Sequence, residues 1–426
     1  MRVGSQNCIY FHPGLTFELA DSQGTSWRRD VDLLDLGPKS DVKEVVNSVL
    51  SREACAAGQR NRVERLVGRL VHALHVSTER SYVSHRKIRA HSLPLTNVAL
   101  NKDATLCATG GYDRQCRLWR TSDGRNVAKL EGHEDVVFDV TFIGKQDELV
   151  ATCSFDGTLR AWTTDNGSCE LVMVGHEGPV ATISPLPTSK QFLFTGGMDT
   201  TAKIWDLHMG ECITSLSGHH GAVIKVGGDR AGQFLYTASF DGTVRLWDVR
   251  TYESINVLDG HEGELNGAAL NWRGNYVASW ATDASALIWD IRQTDQPIFT
   301  LRHDAEVVSG SWDRCGQRLV TGSVDRRAHV VNLGSLAHTH SFEEHFGEVS
   351  KVAFNAAGTR VITTGEDGYL RIWDAEDGHL IQSEQGHELE VFSMVVSYSG
   401  DVIVTGSRDN TCAIWKYDTP EENKPE

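Results

Sequence analysis

Four kinds of hydrogen-bonding side chain recur along this 426-residue chain at fixed distances: an imidazole, a hydroxyl, a carboxylate and an indole. In TASFDGTVRLWD (237–248), Thr237 stands four residues before Asp241, Trp247 six after it, and His219 lies 22 before it. The spacing returns seven more times. The histidines are His91, His133, His176, His219, His261, His303, His345 and His387. The hydroxyls are Thr109, Thr152, Thr195, Thr237, Ser279, Thr321, Thr363 and Thr405, and the carboxylates Asp113, Asp156, Asp199, Asp241, Asp283, Asp325, Asp367 and Asp409. The indoles are Trp119, Trp162, Trp205, Trp247, Trp289, Trp373 and Trp415, with Val331 at the remaining position. A buried indole N–H only donates, a hydroxyl accepts it and donates onward, and an imidazole can take that proton on one nitrogen and donate from the other to a carboxylate. The chemistry is therefore a relay that ties chain segments together. Each net bond contributes about 0.5–1.5 kcal/mol, and an orphaned buried partner costs about 1–3 kcal/mol.

Such a relay needs strands to hold it. Successive histidines are 42 or 43 residues apart, a period that signals a repeat built from four-strand units. After each His comes a β-branched run such as GAVIKV, then a Gly-bearing turn (DRAG, NWRG, NAAG, SYSG), a second strand such as FLYTAS, the Asp turn, and a third strand such as TVRLW. Loops such as DLHMG lead to a fourth. Alternating apolar residues between Gly, Asn and Asp turns are the hairpin signal, and small sheets repeated radially make a propeller. The His-Ser/Thr-Asp-Trp sets resemble the tetrad of the WD-repeat family over residues 82–416. The expected fold is all-β: an eight-bladed WD-repeat β-propeller, preceded by a small mainly helical domain (1–81) and followed by a charged tail (417–426). The eighth unit lacks a fourth strand. Residues 82–89, YVSHRKIR, belong to no complete unit, and Ile88 sits three before its His as Leu216 and Leu258 do. They are expected to close the ring as the last blade's fourth strand.

Composition narrows the function. The net charge of −16 lacks the concentrated basic face of a nucleic-acid binder. No apolar run approaches membrane-spanning length, and MRVGSQNCIY is no signal peptide. Nine scattered Cys without a C-x-x-C pair fit a reducing compartment, with neither disulfides nor a zinc site. No P-loop, H-E-x-x-H or Gly-x-Ser-x-Gly phrase appears, and the relay accounts for eight of the eighteen His, so neither an enzyme nor a cofactor is expected.

The first 81 residues differ in kind. Asp41 and Glu44 form a capping box before VKEVVNSVL, and Val63, Leu66, Val67, Leu70, Val71 and Leu74 make one apolar stripe. This region is either a cap packed on the ring or a second recognition surface. FHPGLTFEL, DVDLLDLGPKSDV and the helix pair leading to HSLPLTNVALNKDA resemble the dynein assembly factors with WD repeats, as do GGMDTTAKIWD, AALNWRGNY and TGSRDNTCAIWK within the ring. That resemblance implies an adaptor linking outer-arm dynein to an intraflagellar transport subunit, monomeric, in the cytoplasm and the cilium or flagellum (basal body, axoneme). The alternative is a general WD scaffold, such as a ubiquitin-ligase substrate receptor or a signalling platform. Two places depart from the repeat: Trp280, where other units hold Gly, Ala, Cys or Thr, and Val331.

The residue before each Asp is expected at the rim of the His-loop face. These are Tyr112, Phe155, Met198, Phe240, Thr282, Val324, Glu366 and Arg408. The first four are large and apolar, and Tyr112, Phe155, Met198, Phe240 and Arg408 are the candidate partner-binding residues; otherwise each simply folds over its neighbouring blade. Glu134, Asp135, Glu177, Glu262, Glu264, Asp304, Glu306, Glu348, Glu388 and Glu390 can form an acidic ring that steers a basic partner, or can be merely solvated.

Overall fold

The computed structural model describes residues 14–20, 26–33, 36, 40–52, 60–79, 81–144, 146–186 and 191–418. Eight four-stranded antiparallel sheets follow one another around a ring. Blade 1 comprises strands Leu95–Leu100, Leu106–Gly111, Cys116–Arg120 and Asn126–Leu130. Blades 2 to 7 repeat it, starting at Val137, Val180, Val223, Leu265, Val307 and Val349. Each inner strand runs from its His loop to a short turn, so all eight His loops share one face.

Alternation along the strands explains the core. In Phe234–Ser239 all six residues are buried, because this second strand is covered on both faces by neighbouring blades. The outermost strands are buried at two positions at most, as in Ser254–Asp259, where Leu258 alone is buried. The apolar clusters lie between blades rather than within them: Trp247 of blade 4 packs with Phe194 and Ile204 of blade 3, and Trp289 of blade 5 with Ala238 and Leu246 of blade 4. Each blade thus finishes its neighbour's core, which is why the ring must close.

Blade 8 contains Val391–Val396, Val402–Ser407 and Thr411–Tyr417, and its fourth strand is Tyr82–Arg89, paired antiparallel with Thr411–Tyr417. Tyr82 anchors this join. It is fully buried, its hydroxyl donates to the Gly400 carbonyl at 2.5 Å, and its ring lies 4.4 Å from that of Tyr417. The Tyr82 N–H also donates to Gln382 Oε1 of blade 7 at 3.0 Å. The last strand runs one residue past the expected limit at Lys416, and that residue is Tyr417, the partner of Tyr82.

Before the ring, a hairpin of Gly14–Ala20 and Ser26–Asp32 precedes α1 (Val42–Arg52) and α2 (Arg60–Glu79). The hairpin was not foreseen in a region read as mainly helical. Asp41 caps α1 by accepting the Lys43 N–H at 2.8 Å. Val46 and Val49 of α1 meet Val63 and Val67 of α2, with Val31, Leu33 and Leu36 completing the cluster and Leu66, Leu70 and Val71 at its margin. The side chain of Leu74, the last residue of the expected stripe, lies outside the described residues. Ala357, in the blade 7 turn on the face opposite the His loops, packs against the same cluster. Among the described residues no helix is long and apolar enough to cross a membrane.

Candidate functional site: the His-loop face of the ring

The relay builds this face. In all eight blades the His Nε2 lies 2.7–2.9 Å from the Ser or Thr oxygen. The seven indoles donate to the same oxygens at 2.8–3.1 Å. In blades 1 to 5 the His Nδ1 lies 2.7–2.9 Å from the Asp carboxylate. Since the indole can only donate, its N–H occupies the hydroxyl oxygen, the hydroxyl proton faces Nε2, and Nδ1–H donates to Asp. Every Asp also accepts the N–H of the residue after its His, at 2.9–3.1 Å. Burial holds His176, His219, His261 and His345 below the usual imidazole range, although the Asp bond pulls the other way. Burial alone would raise Asp241, but bonds from Thr243, the His220 N–H and His219 outweigh it and bring it to about 2. The relay is therefore a neutral imidazole donating to a carboxylate.

Two further features clamp the turn. The residue after each Asp has φ between +61° and +82°, although only Gly157, Gly242 and Gly368 among the eight are glycines. The other five, Arg114, Thr200, Ala284, Arg326 and Asn410, carry a Cβ into the left-handed region, at roughly 1–2 kcal/mol each. The residue before each Asp donates its N–H, at 2.8–3.0 Å, to the carbonyl of the residue preceding the inner strand. The expected rim residues are thereby fixed beside a second set of side chains at the mouth of the central channel.

This pairing divides the face. In blades 1 to 4 the partners are Tyr112 with Pro94, Phe155 with Val136, Met198 with Pro179, and Phe240 with Ala222. In blades 5 to 8 they are Thr282 with Glu264, Val324 with Glu306, Glu366 with Glu348, and Arg408 with Glu390. At these paired positions blades 1 to 4 are apolar and blades 5 to 8 mainly acidic, although the adjoining loops place Glu134, Asp135 and Glu177 in the first half and exposed Phe346 and Leu389 in the second. Tyr112, Met198 and Phe240 are exposed, as is Arg408, whereas Phe155 is half-buried with its ring 5.1 Å from that of Phe138. Burial raises the carboxyls of Glu348 and Glu390; Glu366 and Glu306 push Glu348 further, and Glu348 and Glu366 push Glu390, against the pull of Arg408. The remaining acids of the expected ring are distributed around the loops, and Asp304 is paired with Arg327 at 2.9 Å.

Sequence reasoning passed over Phe346, which is 80% exposed, and exposed Leu93 and Leu389. All three sit one or two residues after a tetrad His, where the other units place Ser, Glu, Asp or His at the first position and Asp, Gly or Ala at the second. That apolar substitution in HFGE, HSLP and HELE was the available signal.

Of the two departures, Trp280 has a physical reason. The Trp280 ring lies where side chains at Gly267 and Gly310 would stand, since a Cβ at either would come within 2.8 or 2.7 Å of it. It fills the gap between blades 5 and 6 rather than the face, and its indole N–H is buried without a partner in the structure. Trp205, Trp289 and Trp415 press on the Gly before their own His, where a Cβ would meet the indole at 3.0, 2.9 and 2.3 Å. The equivalent residue is Arg302 in blade 6, with Val331, and Glu344 in blade 7, with Trp373, so this position does not account for Val331.

Blade number, tetrads and ring closure define a class of protein. The chain belongs to the WD-repeat family: the pattern described as WD domain, G-beta repeat matches residues 82–120, 124–163, 167–206, 210–248, 295–332, 336–374 and 378–416. The stretch without a match, 249–294, holds the first three strands of blade 5 and Trp280, yet its tetrad geometry is complete. At finer grain, the chain is 37% identical over 143 residues to the human protein named Dynein assembly factor with WD repeat domains 1, covering 33% of this chain and 34% of that one. The mouse and zebrafish proteins of that name are each 36% identical over 143 residues, again 33% of this chain and 34% of theirs. The alignment thus spans about a third of these curated relatives. Among solved structures, the computationally designed Ika8 protein superposes with a TM-score of 0.68 at 24% identity, covering 78% of this chain and 98% of that one, a likeness of fold alone.

Proposed function

We propose that this chain is a non-catalytic adaptor for dynein assembly that links outer-arm dynein to an intraflagellar transport subunit in the cytoplasm and cilium. The observation carrying the reading is the divided face: paired positions that are apolar in one half and mainly acidic in the other, fixed to a rigid ring, suit a protein segment that is apolar along one side and basic along the other. The name borne by the relatives points in the same direction. Residues 1–81 act in this reading as a second recognition unit, seated on the opposite face beside blade 7, so cargo and transport machinery can be held at once. A general WD scaffold would use the same face for other partners; the N-terminal unit favours the adaptor, because it contains no F-box-like docking module.

Disrupting the gene in a flagellate tests the proposal. Outer dynein arms should be missing from the axoneme and beating impaired, with pull-down of dynein from extract lost when residues 1–81 are removed. Intact outer arms with normal beating would overturn it.

A further inference from the structure

We propose that blade 6 holds a zinc ion on His303 Nδ1, Asp325 and His329. The donor atoms of these three residues lie within 4.8 Å of one another. His303 Nδ1 is 3.2 Å from Asp325 Oδ2, and the His329 ring stands edge-on to the His303 ring with centroids 4.3 Å apart. Two imidazoles and one carboxylate are a donor set suited to zinc, with a fourth position left for water or a partner's side chain. Zinc–nitrogen distances of about 2.0–2.1 Å require donors roughly 3.3 Å apart; the His303–Asp325 pair, at 3.2 Å, is near that spacing, and a donor of His329 lies within 4.8 Å of both.

Two sequence changes, both confined to this blade, bear on the site. The residue four after the tetrad Asp is Arg117, Arg160, Lys203, Arg245 or Arg371 in blades 1 to 4 and 7, and Leu287 or Ala413 in blades 5 and 8; only blade 6 carries a His there. In the metal-free ring the Nδ1–H of His303 donates to Asp325 at 3.2 Å; zinc takes the place of that proton, and the Thr321 oxygen, 2.9 Å from His303 Nε2 and free of the indole that Val331 replaces, then accepts the Nε2–H. A metal-bound His whose other nitrogen donates to a fixed acceptor is the usual outer-shell arrangement.

The surroundings agree. The Asp325 carboxylate is almost enclosed beside the His303 ring. Each carboxylate oxygen accepts one backbone N–H, from Arg327 at 2.8 Å and Asp304 at 3.1 Å, and keeps a further lone pair. The nearby Arg327 guanidinium is drawn to Asp304 at 2.9 Å and Glu343 at 3.4 Å. Asp325 borders a cleft of about 550 Å³ between blades 6 and 7, lined also by Arg326, Phe346 and Tyr369, through which an ion can enter.

The test is a zinc titration of untagged full-length protein against a competing chelator dye, with each variant's metal-free melting temperature recorded to show that it folds. One zinc per chain is expected, with loss of that site in His329→Ala. Val331→Trp, whose indole would share the Thr321 oxygen with the Nε2–H, should weaken zinc by roughly 10–100-fold, as outer-shell changes do. The Cys169→Ser/Cys212→Ser variant, which removes the two thiols that are exposed among the described residues, should bind as the parent does. Absence of stoichiometric zinc in the parent, undiminished binding by folded His329→Ala, or loss on removing the thiols would each overturn the proposal. All are solution measurements on the ring, so their failure leaves the axonemal test of the adaptor untouched.

Discussion

Blades 1 to 4 and blades 5 to 8 share one framework and present different chemistry at its paired rim positions. Both halves use the same backbone bond from the rim residue to the start of the inner strand, while the His–Asp distance lengthens from 2.7–2.9 Å in blades 1 to 5 to 3.2–3.4 Å in blades 6 to 8. What differs is the pair of side chains placed at that bond: Tyr112/Pro94 and Phe240/Ala222 on one side, Glu366/Glu348 and Arg408/Glu390 on the other. The relay consumes the polar residues that define the fold and leaves the rim positions free to vary. Repeated geometry in this protein is thus about the frame, and the residues immediately beside it are where the proposed binding would be specified.

The largest effect should come from breaking the frame on which the halves face each other. Deleting residues 82–89 leaves the outer edge of Thr411–Tyr417 unpaired and removes Tyr82 from contacts with blades 7 and 8. Aggregation and loss of a cooperative melting transition are expected by light scattering and circular dichroism. A truncated ring as soluble and heat-resistant as the parent would show that closure does not depend on this strand.

A smaller effect separates the two halves. Tyr112→Ala with Phe240→Ala should leave the melting temperature unchanged while weakening the partner complex, by about 1–2 kcal/mol or more for each residue that is a hot spot. Glu264→Gln with Glu366→Gln should instead slow association and flatten its dependence on salt, with a lesser change in dissociation rate. Surface plasmon resonance at two ionic strengths distinguishes them. Equal behaviour of the two double variants would mean that the division of the face has no role in binding.

The tetrads, and with them the blade number, were legible because four residue types share one period and a relay requires all four. The division of the face was harder to read. Pro94, Val136, Pro179 and Ala222, set against Glu264, Glu306, Glu348 and Glu390, are visible in the sequence, but only the backbone bond reveals that each is matched to a rim residue some 18 positions later. Trp280 reads as an anomaly until Gly267 and Gly310, on two different blades, are seen to make room for it. Tyr82 and Tyr417 are 335 residues apart, and no local pattern joins them. The same holds for His303, Asp325 and His329, whose spacing matches no metal-binding phrase because the fold, not a turn of helix, brings them together.

The smallest effect distinguishes frame from rim by sign. His176, His219 and His261 sit below the ordinary imidazole value in the folded ring, and Asp199, Asp241 and Asp283 below the ordinary carboxyl value. The unfolded chain therefore binds more protons, so the tetrads' contribution is whole above about 6.5 and is lost as pH falls, first through the histidines and then, below about 4, through the carboxylates. Glu348 and Glu390 are raised instead, so the folded ring binds more protons than the unfolded chain just above the ordinary Glu value. Their ionisation opposes folding, and that opposition is relieved as pH drops through their raised values toward the ordinary one. Glu348→Gln with Glu390→Gln should accordingly raise the melting temperature slightly near pH 7 and lose the advantage as pH approaches 4.5, the ordinary Glu value in these sites. Both half-buried groups are partly screened by water, so the shift should be small beside the acid unfolding driven by the tetrads. A variant whose advantage persists at pH 4.5 would mean that these carboxyls act through packing, and the acidic half would then owe nothing to charge crowding.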